Sequence, residues 1–152
     1  MPALVFEELT MLTIIRRYLV ALIAFLLMVP ALTSCGPPSV KVTEESYHIK
    51  FADNAKTLPS GKIDFHITNN ATDQAHEFVI FRTDLPANQL PLNADGDVDE
   101  QGPGIKHIAE VEDIGVGETK TLKVNLPPGK YVSICNMSGH YAQGMYYSFT
   151  VK

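Results

Sequence analysis

An all-β sandwich is the fold this sequence predicts, on three observations. Short runs of alternating apolar and polar residues recur after residue 40, at the two-residue period of a strand with one buried face. Turn chemistry separates them, with Gly and Pro at 10 each. No stretch beyond residue 39 carries a sustained helical period. Composition agrees: 45% hydrophobic and 19% charged residues over 152 positions supply one core and exclude a disordered chain. A net charge of −5 excludes a nucleic-acid-binding stripe, so no nucleic-acid partner is expected. Two cysteines, Cys35 and Cys135, exclude a disulfide-stapled miniprotein and a four-cysteine zinc module.

Residues 1–35 read as an export signal. Arg16 and Arg17 precede an apolar run from Tyr18 to Val29, whose twelve residues fall short of the ~20 of a spanning helix and suit a signal-peptide core. Glu7 and Glu8 are unusual before such a run, and Met11 offers a second start. Leu32-Thr33-Ser34-Cys35-Gly36 resembles the lipobox of bacterial lipoproteins. That resemblance implies cleavage before Cys35, a lipid on Cys35, and a protein anchored to a membrane and facing the periplasm or cell exterior. Residues 36–39 read as a short stiff tether, and residues 40–152 as the folded domain.

The strands follow in order. Ser46–Phe51 places Tyr47, Ile49 and Phe51 on one face; Lys62–Thr68 places Ile63, Phe65 and Ile67 inward. His76–Arg82 is apolar on both faces, which predicts a strand covered on both sides. Thr119–Asn125, Lys130–Cys135 and Tyr146–Val151 complete the set, with Leu126-Pro-Pro-Gly129 as a turn. Thr83–Ile105 is long and irregular, with a short helical turn expected near Leu85–Leu90.

The chemistry lies in Cys135-Asn-Met-Ser-Gly-His140-Tyr-Ala-Gln-Gly-Met145. A thiolate, an imidazole and a thioether fall within eleven residues between two strands, with Gly139 and Gly144 supplying backbone freedom beside His140 and Met145. A lone thiol outside the cytoplasm needs protection, and a metal supplies it. Two histidines, one cysteine and a weak axial methionine form the blue-copper donor set. The second histidine must come from elsewhere. His76 opens a strand whose face continues as Phe78 and Ile80, so its side chain is expected to point inward.

Cys-x4-His-x4-Met with an upstream histidine at a strand start resembles the cupredoxins, over roughly residues 40–152, with spacing most similar to the rusticyanin and sulfocyanin branch. The resemblance implies an eight-stranded Greek-key sandwich with one type 1 copper near one end. His76, Cys135 and His140 would be equatorial ligands and Met145 axial. Two positions depart from the pattern: Glu77 where Asn is usual, which puts the usual hydrogen bonding near the cysteine sulfur in question, and Ser138 where Pro is common.

Other candidates fall to plainer readings. His48 and His66 lie on polar faces, and His107 on an ambiguous one. Met137 reads as packing; Tyr141 and Tyr146 as shields for the metal. The acidic run 93–100 has Glu100 and Lys106 where a calcium loop from Asp95 needs Gly and Glu, and so reads as a solvated acidic loop that biases docking toward a basic partner. The expectation is a monomeric, membrane-tethered one-electron carrier serving a redox protein such as a cytochrome, oxidase or reductase. It is not an enzyme, because four protein ligands leave the metal no open position. The alternative is extracytoplasmic copper buffering or delivery.

Overall fold

The structure, a computed structural model, describes residues 36–152. The expected signal helix and the lipidation site Cys35 lie outside the described residues. Among the described residues nine strands form two sheets. β1 (Ser39–Glu45), β2 (His48–Phe51), β4 (Gly61–Asn69) and β7 (Thr119–Leu126) build one, in the order β2-β1-β4-β7. β3 (Thr57–Leu58), β5 (His76–Thr83), β6 (Ile105–Ile114), β8 (Gly129–Ile134) and β9 (Tyr146–Val151) build the other, in the order β3-β9-β8-β5-β6. The chain passes repeatedly between the sheets, so β1 lies parallel to β4, and β3 parallel to β9. The all-β sandwich is the expected class; the count of nine includes the two-residue β3.

Alternation explains the core. Ile63, Phe65 and Ile67 of β4 are completely buried, and the Phe65 ring meets Phe51, Phe78 and Phe149 from β2, β5 and β9. β5 is apolar on both faces because it is covered on both: Phe78 and Ile80 face the inter-sheet core, while Val79 and Phe81 lie beneath residues 84–104. That irregular segment forms turns and a single Leu92–Val98 bridge, and the helical turn expected at Leu85–Leu90 reduces to one hydrogen bond, from the Gln89 N–H to the Pro86 carbonyl at 2.9 Å. Leu90 and Val98 instead plug into the second cluster, and the Tyr141 hydroxyl takes the Leu90 N–H at 3.0 Å while donating to the Ala87 carbonyl at 2.7 Å.

β1 begins one residue inside the expected tether: Ser39 pairs with Asp64, and the Pro38 carbonyl accepts the Asp64 N–H. Its inward residues are Val40, Val42 and Glu44. Ser46 and Tyr47 form the turn into β2, Ser46 with φ 50°, so Tyr47 leaves the strand register that sequence alternation gave it.

Candidate metal centre

Three elements bring the donors together at one end of the sandwich. Asn69, buried at the end of β4, donates to the carbonyls of Gln74 (2.9 Å) and Ile114 (2.8 Å) and accepts the Ala71 N–H (2.8 Å). This satisfied amide staples the loop leading to His76. β5 then opens with His76 against Ile114 of β6, but Phe78 pairs with Val111: the register slips between them, and Asp113 takes φ 51° opposite the slip. An irregularity of this kind re-aims a side chain beside a site, and His76 is 0% exposed.

Cys135 follows β8 directly, with its N–H on the Met145 carbonyl. Gly139, at φ 77°, turns the chain so that His140 opens a 3₁₀ turn over Tyr141–Gln143. Gly144, at φ 98°, ends that turn and returns the chain to Met145. A side chain at either glycine would need the strained left-handed region. Met145, completely buried, packs in the same cluster as Cys135.

The result is a triangle of donor atoms. Cys135 Sγ lies 3.3 Å from His140 Nδ1 and 3.9 Å from His76 Nδ1, and the two Nδ1 atoms are 3.3 Å apart. A point equidistant from all three is about 2 Å from each, close to metal–nitrogen and metal–sulfur bond lengths. Burial depresses the pKa of His76, with the neighbouring His140 adding to the effect, and burial likewise depresses that of His140. Burial therefore favours the neutral, ligating form of both rings. Burial pushes the Cys135 thiol up to about 12, against backbone N–H groups of Glu77 and Met137 that favour the thiolate. The Glu77 N–H reaches Sγ at 3.5 Å. The departure at Glu77 therefore leaves the hydrogen bond to sulfur in place, because the backbone makes it and the half-buried side chain does not.

The loop 84–104 is a second scaffold that sequence reasoning missed. The Asn136 amide accepts the Val98 N–H at 2.7 Å and donates to the Val98 carbonyl and Glu100, both at 3.1 Å; the Asp97 carboxylate accepts the Gly139 N–H at 2.9 Å. Part of the run expected to be a solvated acidic loop thus clamps the ligand loop from outside. The signal was an amide immediately after the cysteine facing a segment with its own turn residues. Asn136→Ala is expected to cost about 1–3 kcal/mol, because it strands the backbone groups of Val98. Urea unfolding checks this, and amide exchange is expected to accelerate at Gly139 before it does in β4.

The remaining candidates settle away from the triangle. His48 is exposed, His66 shares a 2.9 Å hydrogen bond with Thr121, and His107 pairs with Glu110 at 3.2 Å. Met137 packs against the core that holds Cys135 and Met145. Tyr141 and Tyr146 pair with each other in the second cluster. Tyr47 sets its ring edge-on to His140, with centroids 5.3 Å apart.

Glu44 was also missed, although the inward alternation of β1 pointed to it. It is completely buried and neither carboxyl oxygen has a hydrogen-bond partner. Burial, with the Glu77 carboxylate adding to it, pushes its pKa up to about 8.

No family model matches this sequence, and no curated protein matches it. Solved structures do. Auracyanin from the photosynthetic bacterium Roseiflexus castenholzii is similar at 25% identity and a TM-score of 0.58, over 77% of this chain and 99% of that one. The fold is that of the cupredoxins. Rusticyanin from Thiobacillus ferrooxidans aligns at 19% identity and a TM-score of 0.55, over 77% and 79% of the two chains. Auracyanin A, described as a "blue" copper protein from Chloroflexus aurantiacus, aligns at 19% and 0.53, over 77% and 100%. The His76–Cys135–His140 triangle of this cupredoxin fold offers one soft thiolate and two imidazoles, with a buried thioether beside it. That donor set fits copper, whose reduced form prefers soft sulfur and both of whose oxidation states accept imidazole.

Proposed function

We propose that this protein is a one-electron carrier that holds a single type 1 copper at His76, Cys135 and His140, with Met145 as the weak axial ligand. The observation that carries the reading is the donor triangle, about 2 Å in radius and sealed inside a rigid β framework. A geometry fixed by the protein changes little when copper changes oxidation state. Four protein donors leave no place for a substrate, which favours a carrier over an enzyme. Complete burial of His76, Cys135 and Met145 favours retention of the ion over its delivery to an acceptor. His140, at 8% exposure, is the donor nearest solvent and the exit we assign to the electron. The lipobox-like Leu32–Cys35 supports a tether to a membrane outside the cytoplasm, with a cytochrome, oxidase or reductase as the redox partner.

Titration with Cu(II) is expected to raise an intense visible thiolate-to-copper band, absent from Cys135→Ser. A folded, copper-binding wild type without that band would sink the reading.

A further inference from the structure

The charges of the folded unit are sorted between the two ends of its strands. The strand registers define two ends: β5 runs from His76 at the donor end to Thr83 at the other, a span of roughly 23 Å at ~3.3 Å per residue. Acids crowd the donor end: Glu45, Asp73, Glu77, Asp97, Glu100 and Glu112 all lie there, on strand ends and on the clamp loop. The opposite end carries Lys62 and Lys123 from β4 and β7, Arg82 and Lys106 from β5 and β6, and Lys130 from β8, all exposed. Asp64 and Asp84 sit among them, Asp84 within 3.2 Å of Lys130. These five cations exceed the two side-chain carboxylates among them by three, and Lys152 follows β9 at the same end beside the chain's last carboxylate, in a chain whose net charge is −5. Arg82, Lys106 and Lys130 line one open cleft there, together with Thr83 and Gly104.

The chain enters the domain at this same end. Pro38 hydrogen-bonds to Asp64, and Ser39 starts β1 beside it.

We infer that the Lys62–Arg82–Lys106–Lys123–Lys130 end is a docking surface for an anionic phospholipid membrane, which stands the domain upright with its donor end facing away from the bilayer. The inference deepens the tether reading and rests on it for proximity. Three residues separate Cys35 from Ser39, so the four residue steps span at most ~14 Å of chain, comparable to the ~8–10 Å screening length of physiological salt. The acids at the far end lie some two screening lengths beyond, so their repulsion from the same surface is damped while the cations feel its potential. Each cation within that potential adds roughly fivefold to membrane partition. Three uncompensated charges therefore fix an orientation that a flexible lipid link alone leaves free.

The test uses the full chain in vesicles of phosphatidylcholine with or without phosphatidylglycerol. A membrane-impermeant amine reagent labels lysines, and mass spectrometry reads each site and the state of Cys35. Lys62, Lys106, Lys123 and Lys130 are expected to label several-fold more slowly on the anionic vesicles, with the difference erased by high salt, while Lys50 and Lys120 label equally on both. In Lys106→Glu/Lys130→Glu, two exposed changes that leave the core intact, the protection of Lys62 and Lys123 is expected to vanish. Equal labelling of all lysines on both vesicles, with lipid on Cys35, overturns the docking surface and leaves the tether standing. Protection without lipid on Cys35 supports the surface and removes the tether.

Discussion

Raising the pH from about 5 to 9 is expected to strip the metal-free protein of on the order of 4 kcal/mol of stability through Glu44 alone. The carboxyl is completely buried, has no hydrogen-bond partner, and has its pKa raised from 4.5 to about 8. A buried acid with a raised pKa holds its proton in the folded state at pH values where the unfolded chain has released it. Its contribution is therefore fully present below 4.5, declines as pH rises, and is exhausted above about 8. Neutral Glu44 also escapes most of the cost of burying an ion, which explains how a glutamate can occupy the position that continues Val40 and Val42. Glu44→Gln keeps the shape and removes the titration. Urea unfolding across this range is expected to show a marked fall for wild type and a much shallower one for the variant, whose relative stability improves at alkaline pH. Glu77 and Cys135, both raised by burial, pull in the same direction in both proteins. The difference between the two curves reports Glu44 together with its charge coupling to Glu77 and Cys135, and parallel curves would refute the assignment.

Glu44 also shows where the sequence was legible and where it was not. Strands with one wet face announced themselves: Ile63, Phe65 and Ile67 alternate with polar residues and all three are buried. The His76, Cys135 and His140 donors were legible for a different reason, since spacing along one loop and one strand start carries the chemistry without knowledge of the fold. β1 was missed because Glu44 interrupts a pattern read by polarity alone, and burial neutralises the one charge that pattern counts as exposed. The clamp on the ligand loop was invisible for a third reason. Asn136 and Val98 are 38 residues apart, joined by side-chain-to-backbone bonds that depend on how the long loop folds back. Tyr47 differs again: it packs against the core of Ile49 and Phe51 as its period predicts, but from the turn after Ser46, where its ring also meets His140.

Copper loading is expected to release one proton per ion near neutral pH, with an apparent affinity that climbs about tenfold for each pH unit. Burial lowers the pKa of both imidazoles from the ordinary histidine value of 6.5, so above it their neutral, ligating forms predominate. The Cys135 thiol, pushed up to about 12 by burial, is protonated throughout that range and must surrender its proton to bind metal as thiolate. Between about 6.5 and the upper limit a single proton therefore separates the empty and loaded sites, and two pH units are worth about a hundredfold. The Glu44→Gln background removes the other buried acid that titrates in the window. Competition against a chelator of known copper affinity, repeated across the pH range, is the measurement. Cys135→Ser is expected to bind more weakly, because a hydroxyl is a poor donor to a soft ion, and to lose the slope. A flat profile in the Glu44→Gln protein would mean that the thiol is already ionised before metal arrives. The N–H groups of Glu77 and Met137 would then outweigh burial, leaving a reactive thiolate in the empty site that iodoacetamide should modify rapidly.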